Sequence, residues 1–365
     1  MDDQSLLDHL TGQLHRLCES IGMEPASASD LLADLVGPAG LRSVTLPPLW
    51  PSDVADDHTP IEFSVAFNHT EPPTLRILGE AMAASPSPAA NFAAANAFVA
   101  RQVARFGLST AQLEQVRDVF ATDDPLGKFA LWHSLVFRHG RQPEFKVYFN
   151  PELQGVDRSP AIVAEAMDRL GLGASYRVML DHGIRSGELS HSDRLTFFAL
   201  DLHDGPHARV KLYLSHHNAQ VSDVVRAAGV VPDIDADELY KFCEIAGGDT
   251  DVFSGRPLVG SYTFLGGGEV PAGYSVYVPI RSYVSHDEEA YDRVAMLLDR
   301  YGFDSTALDP IIAALAERKL RDGVGLIAHV SLRLGKPRGG ITVYLSAEAY
   351  RAQPPRDAHQ AAVAA

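Results

Sequence analysis

The stretch 145–149 reads Phe-Lys-Val-Tyr-Phe, and it decides the fold because polar and apolar side chains alternate along it. Successive side chains of a β-strand point to opposite faces, so Lys146 and Tyr148 share one face and the three apolar residues share the other. A strand of this kind belongs to a sheet that buries a hydrophobic core on one side only.

The same alternation returns in three later segments, which read Arg-Val-Lys-Leu-Tyr at 209–213, Ser-Val-Tyr at 275–277 and Thr-Val-Tyr at 342–344. Each segment carries a tyrosine, with a cation or a hydroxyl two residues before it. One strand with this pattern would be typical of the wet face of any antiparallel sheet. Four strands in the same register indicate one shared, functional surface. Its members are Lys146, Tyr148, Arg209, Lys211, Tyr213, Ser275, Tyr277, Thr342 and Tyr344.

Each of these strands is the second strand of a predicted hairpin. The hairpins pair 61–68 with 74–78, 134–138 with 145–151, 195–202 with 208–215, 261–265 with 274–280, and 325–334 with 340–346. Apolar periodicity predicts helices at 5–22, 28–36, 89–106, 110–121, 160–170, 221–228, 288–301 and 308–318. Hairpins joined by short turns are antiparallel, and ten such strands lose their exposed edges by closing into a barrel.

The predicted fold is therefore α+β: a closed, antiparallel, ten-stranded β-barrel of repeated units, with the helices outside. The helices would cover the apolar strand faces, which turns the lysines, arginines and tyrosines toward the lumen. We expect a single domain over 1–350, with N-terminal helices at about 5–44 and the barrel at about 60–350. The Ala-rich segment 351–365 is expected to be a frayed tail.

Composition restricts the partners. The formal charge of −16 over 365 residues opposes a broad nucleic-acid or anionic-membrane surface. The N-terminus lacks the pattern of a secretory signal, and no apolar run is long enough to span a bilayer, so we expect a cytoplasmic protein that binds no membrane. The sequence leaves the oligomeric state open.

The lumen itself predicts an anionic ligand. A barrel of about ten strands can enclose a small molecule. Lysine and arginine pair with phosphate oxygens, and tyrosine faces stabilise positive charge by cation–π attraction. Neither Asp56-Asp57 nor Asp123-Asp124 continues into a DDxxD motif. The sequence therefore gives no support to a carboxylate-held magnesium cluster, and we expect neither a metal nor another cofactor.

The motifs, taken in order, resemble the dimethylallyltryptophan synthase family and especially its bacterial members. They are Pro60-Ile-Glu-Phe-Ser, Lys146-Val-Tyr-Phe-Asn-Pro, Arg209-Val-Lys-Leu-Tyr, Tyr277-Val-Pro and Thr342-Val-Tyr. The resemblance covers about 45–350 and implies the prenyltransferase barrel of αββα units. It also implies a metal-independent transfer of a dimethylallyl group from dimethylallyl diphosphate, a co-substrate, to a ring carbon of L-tryptophan, with C6 favoured.

The resemblance implies a role for each matching residue. Glu62 would accept a hydrogen bond from the indole N–H. A cationic clamp would hold the diphosphate, and a tyrosine shield would keep water from the allylic cation. The clamp residues would be Arg76, Lys146, Arg209 and Lys211, with further contacts from Ser275 and Arg333. The shield residues would be Tyr148, Tyr213, Tyr277 and Tyr344.

This chain departs from the better-known fungal pattern at two of these positions. His133 stands thirteen residues before Lys146, where the family often has a catalytic lysine, so His133 is the expected base. Ser275 stands where the family frequently has glutamine, and it reaches less far. Arg194 occupies roughly the place of the arginine that meets the substrate carboxylate, although the turn that follows it is longer.

Two alternatives stay open at this point. The same barrel could prenylate a phenolic or other aromatic acceptor, or a tryptophan within a peptide. Glu62 favours an indole N–H and Arg194 favours a free carboxylate. A barrel without activity that only sequesters an anionic metabolite is the second alternative.

Overall fold

A computed structural model of the chain describes residues 4–334 and 339–356. Within these residues ten antiparallel strands close into one barrel in the order β1-β10-β9-β8-β7-β6-β5-β4-β3-β2. This confirms the predicted fold class. The strands are β1 (Ile61–Asn68), β2 (Glu71–Glu80), β3 (Leu131–Phe137), β4 (Glu144–Phe149), β5 (Asp193–Asp201), β6 (Val210–His216), β7 (Leu258–Phe264), β8 (Gly273–Val278), β9 (Ile327–Leu334) and β10 (Gly340–Ser346).

Helices surround the barrel. They are α1 (Leu6–Ser20), α2 (Ala26–Val36), α3 (Pro88–Phe106), α4 (Ala111–Val116), α5 (Ser159–Arg169), α6 (Gly173–Gly183), α7 (Val221–Ala228), α8 (Ala236–Gly247), α9 (Asp287–Arg300) and α10 (Leu308–Leu315). Helices α6 and α8 were not predicted from the sequence. Helix α6 begins and ends at glycines, which weaken a helical signal. None of the described helices is long and apolar enough to cross a membrane.

The apolar face of each strand forms a core between the barrel and its helices. On β4, Phe145, Val147 and Phe149 are buried in this layer. Phe120, which follows α4, stacks on Phe149 with 4.5 Å between the ring centroids. Burying a side chain of this size contributes about 1.5–3 kcal/mol, so the apolar face is held outward and the opposite face inward.

The barrel has two different ends. The hairpin end carries the short turns, such as the one between Asn68 and Glu71. The loop end carries the longer connections to the helices. Every inward-facing residue of a strand therefore lies at a definite depth in the lumen, which the strand register sets.

The C-terminal segment differs from the prediction of a frayed tail. Gln353 accepts a hydrogen bond from the Val324 amide at 3.0 Å, and the Arg356 amide donates to the Ser285 carbonyl at 2.8 Å. These backbone contacts hold 351–356 along the loop end, so the tail does not begin at 351. Residues 357–365 of the expected tail lie outside the described residues.

Candidate active site

Four tyrosines form a continuous belt around one side of the lumen. The ring centroids of Tyr148 and Tyr213 lie 5.9 Å apart. The distance is 5.7 Å between Tyr213 and Tyr277, and again 5.7 Å between Tyr277 and Tyr344. One inward-facing tyrosine from each of four strands builds the belt, as the shared register predicts.

The belt is uncharged. Burial raises the pKa of Tyr213 well above its ordinary value, and the phenols of Tyr148 and Tyr277 add to the rise. Burial raises the pKa of Tyr344 in the same way. Neutral phenol rings present electron-rich faces, which attract a cation without forming a bond to it.

A cationic cluster lies toward the hairpin end from this belt. Lys146 on β4 has its Nζ 3.0 Å from Asp201 Oδ1, and Arg209 Nε donates to Asp201 Oδ2 at 2.7 Å. Burial lowers the pKa of Lys146 to about 8, and Arg209 adds to the shift while Asp201 opposes it. Lys211 lies with its Nζ 5.8 Å from the centre of the Tyr213 ring. The cluster thus abuts the belt directly.

Arg76, Ser275 and Arg333 complete this cluster. Ser275 and Arg333 are Cα partners on β8 and β9, and Arg333 Nη2 donates to Asn68 Oδ1 at 2.9 Å. Arg76 lies on β2, as the Cα partner of the lumenal Ser64. The structure therefore brings the six predicted diphosphate-binding residues to the same half of the barrel.

The cluster is electrostatically unbalanced. Burial lowers the pKa of Lys211 well below its ordinary value, and Lys146, Arg209 and Arg76 lower it further. Burial, Arg76 and Arg209 lower the pKa of Arg333 in the same direction. Buried cations that depress one another's pKa form a site that an anion would stabilise.

Asp201, which was not predicted from the sequence, also belongs to the site through its contacts with Lys146 and Arg209. It ends β5 on the lumenal face and is the Cα partner of Lys146. Burial alone would raise the pKa of Asp201, but Lys146 and Arg209 lower it, so the carboxylate is ionised. The alternation through Ala199 and Asp201 on β5 could have revealed it.

Glu62 lies on the lumenal face of β1, close to the loop end, as the Cα partner of Leu78. Its side chain is buried, with 7% exposed. Burial raises the pKa of Glu62 to about 8, while Arg281 opposes the rise. Burial deprives this carboxylate of hydrogen bonds from water, and the N–H of a bound ligand can donate a hydrogen bond in their place.

An aromatic cluster, called the aromatic pocket below, extends from the belt, where Trp132 is the Cα partner of Tyr148, toward Glu62, the Cα partner of Leu78. Phe129 stacks on Trp132 with 3.8 Å between centroids, and Trp132 lies 5.6 Å from Phe197. Val54 and Leu78 pack against the same rings. This apolar cluster is separate from the outer core and suits a flat aromatic ligand. Trp132 precedes the inward Ser134 by two residues, and residues two apart on a strand share one face, so its inward position could have been predicted from the sequence.

The structure places His133, the predicted base, on the outer face of β3 and away from the lumen. On β3 the Cα partner of Lys146 is Ser134, so the neighbouring His133 points outward. Its ring packs edge-on against Phe98 of α3, with 4.9 Å between centroids. Burial in this apolar layer lowers the pKa of His133 to about 4. A spacing of thirteen residues across a turn does not fix which face of a strand a residue occupies.

Arg194 lies at the loop end of β5, where its guanidinium already has a carboxylate partner. Its Nε donates to Glu152 Oε1 at 2.7 Å, and its Nη2 donates to Glu152 Oε2. The side chain is 36% exposed. This forked ion pair engages two of the five N–H donors of Arg194 and neutralises its charge, so a substrate carboxylate would meet an already paired guanidinium.

Comparison with known proteins agrees with this geometry. The family model described as tryptophan dimethylallyltransferase matches residues 6–309. The 6-dimethylallyltryptophan synthase from Micromonospora olivasterospora, solved in complex with DMASPP and Trp, is 65% identical, with a TM-score of 0.94 over 96% of this chain and 99% of that one. The prenyltransferase PriB, solved with L-tryptophan and dimethylallyl thiolodiphosphate, is 37% identical, with a TM-score of 0.90 over 97% of this chain and 99% of that one.

A third similar structure is the 5-dimethylallyl tryptophan synthase from Streptomyces coelicolor in complex with DMASPP and Trp. It is 34% identical, with a TM-score of 0.88 over 98% of this chain and 99% of that one. The family model includes Glu62 and the strands from β1 to β8, and the three structural matches cover 96–98% of the chain. The chain therefore belongs to the tryptophan dimethylallyltransferase family and is an aromatic prenyltransferase.

Proposed function

We propose that this protein transfers the dimethylallyl group of dimethylallyl diphosphate to C6 of L-tryptophan and releases diphosphate. The observation that carries the proposal is the order of layers along the lumen: cations, then neutral tyrosines, then an aromatic pocket with a buried carboxylate. That order matches the leaving group, the allylic cation and the indole of one reaction. The 65% identity to a 6-dimethylallyltryptophan synthase supports C6.

The donor step uses the cationic cluster. Its lysines and arginines bind the diphosphate oxygens and draw negative charge onto the leaving group, so that the bond between C1 and oxygen breaks. Both electrons of that bond stay with the diphosphate. The tyrosine belt faces the resulting allylic cation and excludes water, which would otherwise give the alcohol.

The acceptor step uses the aromatic pocket. The indole ring lies against Trp132 and Phe129, and Glu62 accepts the hydrogen bond of the indole N–H. The ring carbon attacks C1 and becomes positively charged, and the Glu62 carboxylate stabilises that charge through the N–H. The ring proton then passes to the diphosphate anion released in the donor step, which restores the aromatic system.

The proposal assigns charge neutralisation to side chains and requires no metal ion. Five cationic residues face the diphosphate site: Arg76, Lys146, Arg209, Lys211 and Arg333. We expect the rate of product formation to be unchanged in EDTA. Complete loss of activity in EDTA, with rescue by magnesium, would contradict this part of the proposal.

The acceptor is tested by competition. The protein is incubated with dimethylallyl diphosphate and an equimolar mixture of L-tryptophan, L-tyrosine and an N-acyl, C-amide tryptophan. We expect product from free tryptophan to dominate. Dominance of the tyrosine or of the blocked tryptophan product would favour another acceptor, and donor binding without diphosphate release would favour a non-catalytic barrel.

A further inference from the structure

Three arginines surround one carboxylate at the loop end of the barrel. Arg256 Nη2 donates to Asp56 Oδ1 at 2.5 Å, and Arg281 Nε lies 2.9 Å from Asp56 Oδ2. Arg356, from the C-terminal segment, lines the same cavity as Asp56 and Arg281. Three guanidinium charges face two carboxylates, Asp56 and the nearby Glu62, which leaves a surplus of positive charge.

The surplus has electrostatic consequences within the cluster. Burial lowers the pKa of Arg281, and the charge of Arg256 lowers it further. Burial and Arg256 act on Arg356 in the same direction. Burial lowers the pKa of the neighbouring His329, and Arg281 and Arg256 add to the effect. An anion placed among these groups would relieve the repulsion.

The cluster also has room for a ligand. A cavity of about 290 Å³ is lined by Asp56, Arg281, Val324, Arg356 and the segment 353–355. Arg281 has five N–H donors. Its contacts with Asp56 and with His329 Nδ1, at 3.0 Å from Nη1, engage at most three of them. A second hydrogen on Nη1 and another on Nη2 remain for an incoming carboxylate.

The position of the cluster identifies the anion. Arg281 Nη1 lies 3.0 Å from Nδ1 of His329, whose ring centroid lies 6.1 Å from that of Tyr344 in the belt, so the cluster borders the loop end of the lumen, where Glu62 also lies. The cationic diphosphate site lies on the far side of the tyrosine belt. In tryptophan the α-carboxylate is joined to the ring by a short side chain, so its binding site must adjoin the indole site.

We propose that Arg281 and Arg356 bind the α-carboxylate of the acceptor, in the place that the sequence resemblance gives to Arg194. This inference rests on the proposed function and adds the group that distinguishes a free amino acid from other indoles. It makes the C-terminal segment part of the acceptor site. It also explains why Arg194 can remain paired with Glu152.

The test compares L-tryptophan with tryptamine, which has the same indole and lacks the carboxylate. Initial rates at saturating dimethylallyl diphosphate give kcat/KM for both acceptors in the wild type and in the variants Arg281→Gln, Arg356→Gln and Arg194→Gln. Arg356 is half-buried on a surface segment, so its variant reports even where Arg281→Gln does not fold. Arg194→Gln is the matched comparison.

We expect the preference for tryptophan over tryptamine to fall about tenfold or more in Arg356→Gln and in Arg281→Gln, through a higher KM for tryptophan. In Arg356→Gln the kcat/KM for tryptamine should stay within about twofold of the wild type. An unchanged preference in Arg356→Gln, or a loss of preference in Arg194→Gln alone, would overturn the inference while the proposed function stands. Absence of any tryptophan product from the wild type would overturn both.

Discussion

The protonated form of Lys146 is less stable in the folded protein than in water, because Asp201 only partly offsets burial and the charge of Arg209. Its pKa is lowered to about 8, first by burial and then by Arg209, and Asp201 holds it up. The lysine must be protonated to bind diphosphate, so donor binding should weaken as the pH rises through about 8. We expect kcat/KM for dimethylallyl diphosphate to fall above that pH, and a pH profile at saturating tryptophan measures it.

Asp201 should act as a positioning residue for this clamp. Replacement by Asn removes the negative charge that raises the pKa of Lys146, so the alkaline fall in kcat/KM for the donor should move to lower pH. Asp201→Glu should restore most of the wild-type profile. A profile with the same midpoint in Asp201→Asn would show that Asp201 acts only on local structure.

Glu62 should give the opposite pH dependence for the acceptor. Its pKa is raised to about 8, and the ionised form stabilises the charged ring, so kcat/KM for tryptophan should rise with pH up to about 8. In Glu62→Gln we expect kcat to fall by about 10²–10³ and the rising limb to disappear. If kcat/KM for tryptophan still rises with pH in Glu62→Gln, the titrating group is not Glu62.

At the scale of the element, the role of a residue depends on which face of its strand it occupies. Trp132 and His133 are neighbours on β3, and they point into the lumen and into the outer core respectively. We expect Trp132→Ala to raise the KM for tryptophan at least about tenfold through lost stacking, and His133→Leu to leave kcat within about twofold. Steady-state kinetics separate the two, and a large loss of kcat in His133→Leu would restore it as the base.

The tyrosine belt crosses four strands and should work through its ring faces. Tyr213 lies in the middle, next to Tyr148 and Tyr277. Tyr213→Phe keeps an aromatic face, and we expect it to keep the ratio of prenyl transfer to donor hydrolysis. Tyr213→Ala should release more dimethylallyl alcohol per transfer, because water reaches the cation. Equal hydrolysis in both variants would contradict a shielding role.

The elements that could be predicted from the sequence are those whose patterns are local. Alternation along β4 and β6 placed Lys146, Lys211 and Tyr213 inward, and hairpin turns gave the antiparallel order. Partners from distant elements could not be predicted in this way. Asp56 meets Arg281 across most of the chain, and Arg356 joins them from the segment that composition marked as a tail.

At the scale of the whole molecule, the lumen holds buried cations at a cost to the free energy of folding. A pKa of about 8 for buried Lys146, against an ordinary 10.5, corresponds to about 3 kcal/mol at neutral pH. The folded state binds the proton more weakly than the unfolded state. The cost is therefore full below pH 8 and disappears as the pH rises to 10.5.

Binding of diphosphate should relieve this cost. We expect inorganic diphosphate to raise the Tm at pH 7, and to raise it much less in Lys146→Met, where the unstable charge is already absent. The Tm is measured by thermal unfolding in diphosphate and in chloride at the same ionic strength. An equal rise in both salts would indicate a general salt effect.

The account as a whole joins a diphosphate clamp, a neutral tyrosine belt and an indole pocket in one lumen. NMR of the product formed from L-tryptophan and dimethylallyl diphosphate tests that claim most directly. We predict one product with the dimethylallyl group on C6 of the indole and an equivalent of released diphosphate. No product, or a product prenylated outside the indole ring, would contradict the account.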